Sequence, residues 1–116
     1  MKNMKTKNKL RLAVDIDGTL TIADKKHRGW DDEQCLTAKP NQVMIDIVNN
    51  AWKAGHLIIL YTARRWSRRE ATVYWLQKHD VKYHTIDMGS KPNVDYFIDD
   101  LALNAKDLKK IKKILC

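Results

Sequence analysis

At 116 residues, 44% of them hydrophobic, the chain is sized for one compact domain with a single core and leaves no room for a second. No apolar run is long enough to span a bilayer, the basic stretch Met1 to Lys9 lacks the hydrophobic segment of a signal peptide, and two cysteines, Cys35 and Cys116, make neither a disulfide framework nor a metal cluster. The net charge of +8 invites an anionic partner, yet residues 12–105 carry 12 basic and 13 acidic side chains, so the excess lies at the two ends. The expectation is a cytoplasmic protein that makes no membrane contact, with residues 1–9 as a flexible basic tail and residues 10–116 as a single domain.

Leu10 to Ile16 reads as the first strand, and its nearly continuous apolar content predicts a central position in a sheet. The interval Thr21 to Lys39 has no clear period and has room for a hairpin flap but no folded cap. Pro40 to Ala54 reads as a helix, with Val43, Met44, Ile47, Val48 and Ala51 at helical spacing and Gly55 placed to end it. Leu57 to Tyr61 is a second buried strand. Ser67-Arg68-Arg69-Glu70 has the form of a capping box opening a helix that runs to about His79. A weaker strand follows at Tyr83 to Ile86, and Val94 to Ile98 makes a fourth. Asn104 is placed to cap a last helix whose Leu108, Ile111, Ile114 and Leu115 share a face. Strands alternating with helices predict an α/β fold, a three-layer Rossmann-like parallel sheet flanked by helices, in a minimal capless form. Right-handed crossovers would bring the strand ends to one edge, where such sheets bind ligands at the point the strand order reverses.

Chemistry-bearing residues stand at those ends. The first strand delivers Asp15-Ile16-Asp17-Gly18-Thr19-Leu20, the second ends in Thr62, Gly89-Ser90-Lys91-Pro92 offers a lysine in a turn, and Tyr96-Phe97-Ile98 leads into Asp99-Asp100. Two carboxylates followed by a glycine and a hydroxyl suit a metal and a phosphoryl group, because a phosphate ester yields only when its negative charge is neutralised and the reactants are held in line. Gly18 permits a tight turn after the first carboxylate. Taken singly, Thr62 is an ordinary strand former and Lys91 an ordinary turn residue; the set carries the reading.

In this order the four motifs resemble those of the haloacid dehalogenase superfamily, over a span from about Leu10 to about Asn104. Among its members the chain is most similar to the short capless phosphatases, both the capsular-biosynthesis type and the polynucleotide 3′-phosphatase type. The resemblance implies Asp15 as the nucleophile that takes the phosphoryl group as an aspartyl phosphate. Asp17 would be the acid that protonates the leaving alcohol and then the base that activates water. It implies Thr62, Gly18, Thr19 and the backbone at Ala63 on the phosphate, and Lys91 as the balancing charge. Magnesium is the implied cofactor, held by the Asp15 carboxylate, the Asp17 carbonyl and Asp100, with Asp99 as a water-mediated partner.

The expected substrate is a phosphorylated small molecule, a sugar phosphate or a nucleotide. The alternatives are a 3′-phosphatase on nucleic-acid ends, favoured by the basic termini, and a binding or regulatory module that has lost turnover. Arg28 and Trp30, with His27 and Asp31, lie in the flap and are candidates for substrate contact. Arg64, Arg65, Arg68 and Arg69 follow Thr62 with Trp66 among them, a cluster suited to a second phosphate or a stacked base. An open site of this kind accommodates large substrates or is closed by a neighbouring subunit of an oligomer.

Overall fold

The computed structural model describes residues 9–22, 31–89, 95–96, 98–99 and 101–115. Strands β1 (Arg11–Asp15), β2 (Leu57–Thr62) and β3 (Thr85–Met88) form a parallel sheet in the order β1-β2-β3. Its helices are α1 (Asp32–Thr37), α2 (Gln42–Lys53), α3 (Arg69–Lys78) and α4 (Leu108–Leu115). Among the described residues no helix is long and apolar enough to cross a membrane.

The expected α/β sheet is present, with two differences in its plan. Of the described strands β2, not β1, is in the middle, and its Ile58, Leu60 and Thr62 are fully buried while Leu12 and Val14 of β1 are only partly so. The strand order does not reverse within these three strands. Their ends share an edge because all three run parallel, and the register sets Asp15 beside Tyr61 and Thr62 beside Met88. The expected fourth strand is not seen where it is described: Asp95, Tyr96 and Ile98 are exposed and not in a strand, and Val94 and Phe97 lie outside the described residues.

The core forms where α2 lays Met44, Ile45, Val48 and Ala51 against Ile58 and Leu60, with Trp75 and Leu76 of α3 and Ile111 of α4 completing it. Period-3.6 spacing of the apolar residues makes each helix one-sided, so burial of that stripe holds it to the sheet. Asn41 starts α2 by accepting a hydrogen bond from the Met44 backbone N–H, and Gly55, at φ +98°, turns the chain out of it.

Three helix starts differ from expectation. The Ser67–Glu70 box does not form: Trp66–Arg68 makes a 3-10 turn that draws Ser67 into itself, and α3 then begins at Arg69 with no side-chain cap. A reciprocal capping box occurs instead between Asp31 and Gln34, at the head of α1, in a stretch whose sequence shows no clear period. Asp107 caps α4 through the Lys110 backbone N–H, while Asn104 closes a local turn with that of Lys106. Residues 1–8 of the expected tail lie outside the described residues, but Lys9 donates from Nζ to the carbonyl of Ala54 and Leu10 N–H to His56 Nδ1.

Candidate active site

The site begins where β1 stops. Asp15 is its last residue, half-buried, and the chain then makes a wide turn over Ile16–Leu20, closed by Thr21 N–H donating to the Ile16 carbonyl at 3.1 Å. Ile16 and Leu20 go fully into the core. With those two anchored, Asp17 and Gly18 are held at the surface of the sheet edge. Gly18 has φ +81°, a left-handed conformation that costs glycine little, and its N–H donates to Thr21 Oγ1 at 3.1 Å. Thr19 is half-buried in the same turn.

Asp17 is gripped from the neighbouring strand. Thr62, fully buried at the end of β2, donates its hydroxyl to Asp17 Oδ2 at 3.0 Å. Arg64 donates from Nε to both carboxylate oxygens at 3.1 Å and from Nη2 to Oδ1 at 2.6 Å. The Arg64 side chain is 0% exposed and that of Asp17 is 23% exposed. A buried guanidinium needs its partner, since desolvation is repaid only by good geometry and full hydrogen bonding. Thr72 of α3 supplies part of that, accepting from Arg64 Nη1 at 2.9 Å, and the Arg64 backbone N–H donates to Thr62 Oγ1 at 3.1 Å. Three segments, the turn after β1, the end of β2 and α3, are thereby locked around one carboxylate.

Arg64 is placed differently from the expected substrate contact. Its guanidinium is buried and faces Asp17 and the buried Thr72 of α3 from within the protein. Arg65 and Ala63 are exposed beside it. Asp99 is exposed, and its Oδ1 accepts from the Leu101 backbone N–H at 2.8 Å, a local turn. Arg28, Trp30, Lys91 and Asp100 lie outside the described residues, as does His27. Thr21 and Thr72 escaped the sequence reading. Thr21 had a signal, a hydroxyl three residues after a glycine that must turn; Thr72, inside a helix, had none.

The donor set fits magnesium. The hard oxygens at the end of β1 are the Asp15 carboxylate and the Asp17 main-chain carbonyl, the Asp17 carboxylate being committed to Arg64 and Thr62. Magnesium keeps several waters and takes one or two protein carboxylates. Among the described residues no three His, Cys, Asp or Glu side chains come together as a metal cluster.

Cys35 of α1 is fully buried near Arg64 and Thr72. Burial pushes its thiol above the ordinary range, an effect that the nearby Arg64 charge and a hydrogen bond with Thr72 only offset. It is a neutral packing group next to the buried arginine.

A parallel α/β sheet whose first strand ends in an Asp-x-Asp-Gly-Thr turn, with a threonine of the next strand bonded to the second aspartate, defines a phosphatase-type member of the haloacid dehalogenase superfamily. The chain belongs to the family of the polynucleotide kinase PNKP phosphatase domain, whose sequence model matches residues 11–102. An MCSG target from Vibrio cholerae, solved by crystallography, is 26% identical with a TM-score of 0.69, over 91% of this chain and 96% of that one. A chain in the Pnkp1/Rnl/Hen1 complex is 22% identical with a TM-score of 0.62, over 87% of this chain. One in the Pnkp1/Rnl/Hen1 RNA repair complex is 21% identical with a TM-score of 0.61, over 98% of it. This chain spans about a third (34%) of each of those two. No curated protein sequence matches it.

Proposed function

We propose that the protein is a magnesium-dependent phosphomonoesterase working through an aspartyl phosphate on Asp15. The observation that carries this is the fixing of Asp17 by Thr62 and Arg64 two residues from Asp15, at the edge where the strand ends meet. An Asp15 carboxylate oxygen attacks phosphorus, and the bond from phosphorus to the ester oxygen breaks. Asp17 gives a proton to the departing alcohol oxygen, then takes one from the water that attacks phosphorus and releases phosphate from Asp15. Magnesium, held by Asp15, the Asp17 carbonyl and Asp100 with Asp99 behind it, would neutralise charge on the phosphoryl oxygens. Gly18, Thr19 and the backbone at Ala63 line the phosphate's place in this reading, and Lys91 balances its charge.

The substrate is a phosphorylated small molecule such as a sugar phosphate or nucleotide, which the near-neutral central region suits. The second reading, a 3′-phosphatase on nucleic-acid ends, is favoured by the polynucleotide kinase family match. Phosphate release from sugar phosphates, nucleotides and a 3′-phosphorylated oligonucleotide, with magnesium or EDTA, tests both. Release that needs metal and disappears in Asp15→Asn is the expected result, and the preferred substrate selects the reading. Undiminished release by Asp15→Asn would overturn the mechanism.

A further inference from the structure

Asp17 is held directly by Thr62 and Arg64, and Arg64 is itself held from a third element. Its guanidinium turns two nitrogens to the carboxylate, Nε at 3.1 Å from both oxygens and Nη2 at 2.6 Å from Oδ1, and gives the third, Nη1, to Thr72 Oγ1 at 2.9 Å. The group is flat and rigid on a flexible stem, so a bond at one nitrogen sets the direction in which the other two point. Thr72 is suited to set it. It is fully buried on α3, among the buried Ala71, Trp75 and Leu76, and as a β-branched residue it is stiff at its first side-chain torsion.

Packing does not explain a hydroxyl at that position. Valine has the same branched shape and would fill the space with no oxygen to satisfy, whereas a buried hydroxyl costs free energy unless it is hydrogen-bonded. In a helix a threonine hydroxyl commonly turns back to a carbonyl of its own preceding turn. Here the oxygen accepts from Arg64, eight residues earlier in the chain, and the hydroxyl is shared with the Cys35 thiol of α1.

We propose that Thr72 is a positioning residue for the reaction: through Arg64 it sets the direction of the Asp17 carboxylate toward the departing ester oxygen. This rests on the phosphatase reading above and extends its machinery to α3. When an Asp15 oxygen attacks phosphorus and the bond from phosphorus to the ester oxygen breaks, an alkyl alcohol leaves only as fast as Asp17 delivers its proton, and that delivery depends on the carboxylate's aim. A 4-nitrophenyl ester departs as the phenolate, keeping the bonding electrons, and depends far less on the proton.

The test measures kcat/KM, which covers the steps through departure of the alcohol, for glycerol 2-phosphate and for 4-nitrophenyl phosphate in wild type, Thr72→Val and Thr72→Ser, with magnesium. The ratio of the first ester to the second should fall by about tenfold or more in Thr72→Val, up to the roughly 10²-fold felt when a catalytic group is misplaced, and largely return in Thr72→Ser. Both esters are measured on one preparation, so an unfolded fraction cancels from the ratio. An unchanged ratio in Thr72→Val, or an equal fall in Thr72→Ser, overturns the proposal. If Thr72→Val yields no folded protein, Thr72→Ala is read in the same way. A readout without turnover is the Arg64 Nε–H resonance in a proton–nitrogen NMR spectrum, identified by its loss in Arg64→Lys. If wild type releases no phosphate from either ester, the phosphatase reading fails; then, or when only the aryl ester turns over, the resonance decides alone. A shifted, faster-exchanging signal in Thr72→Val supports the control of Arg64 by Thr72, and an unmoved one overturns it.

Discussion

Arg64 shows what a single side chain contributes. Its planar fork reaches both oxygens of Asp17 and its remaining nitrogen reaches Thr72, a pattern that lysine, with one point charge, cannot reproduce. Arg64→Lys should therefore lower kcat on the preferred ester by up to about 10²-fold, the scale on which a misplaced catalytic group is felt, and leave KM nearly unchanged. A rise in KM at constant kcat would instead make Arg64 the substrate contact that sequence alone suggested. The placement of the acid pair was legible, because an apolar run followed by two aspartates and a glycine marks a strand end and a turn. The role of Arg64 was not, since four arginines follow Thr62 within seven residues and only burial distinguishes the one that turns inward. Cys35 follows the same logic at a quieter position. Its buried, neutral thiol should stay unlabelled by a thiol reagent in the native protein and react once urea is added, as read by peptide mass.

Among the elements, the joint between α1 and α3 is the most informative. Two of the contacts between the segment before α2 and the turn and helix at α3 contrast most: the Arg68–Asp32 ion pair, with side chains 34% and 64% exposed, and the Trp75 Nε1–H donating to the Ala38 carbonyl at 2.8 Å from full burial. An exposed pair is worth about 0–1 kcal/mol, whereas Trp→Ala in a core costs about 3–5 kcal/mol. Trp75 thus decides. Trp75→Ala should lower stability to urea by about that larger amount, and Asp32→Ala by less than about 1 kcal/mol; equal losses would show the ion pair to be the true fastening. Sequence periodicity found α2, β2, α3 and α4 within a few residues, because burial of one stripe dictates them. It missed α1, whose six residues are too few to show a period, and it misplaced the start of α3, since a cap pattern cannot reveal that a 3-10 turn has claimed its serine.

At the scale of the whole molecule, one response to pH is carried by the histidine that follows α3. His79 ends α3 with its ring 4.5 Å from that of Trp75, and burial, helped by Lys78, holds its pKa below the ordinary 6.5. Its depressed value means that the unfolded chain takes up this proton first as pH falls. Stability is then complete above about 6.5 and declines as pH drops below it towards the folded value. Thermal melts at pH 7.5 and 5.5 should show a smaller drop in Tm for His79→Gln than for wild type, and an equal drop would remove His79 as a cause. The parallel sheet itself was readable from alternating strand and helix patterns, but the order of its described strands was not, because apolar content alone does not say which strand is flanked by the other two.

The backbone pairing at the base of the 23–39 segment has a further consequence. Ile22 N–H donates to the Lys39 carbonyl and Asn41 N–H to that of Leu20, each at 2.8 Å, with Thr21 bridged to Pro40. These bonds clamp the two ends of that segment into one narrow doorway, a few residues after the acid pair. Sequence added between the two clamped ends of that doorway need not move β1 or α2, and each doubling of its length would cost only about 0.6 kcal/mol in closure entropy. The same core could therefore accept an added domain of almost any size a few residues from its carboxylates, making this junction the natural port for an engineered insertion.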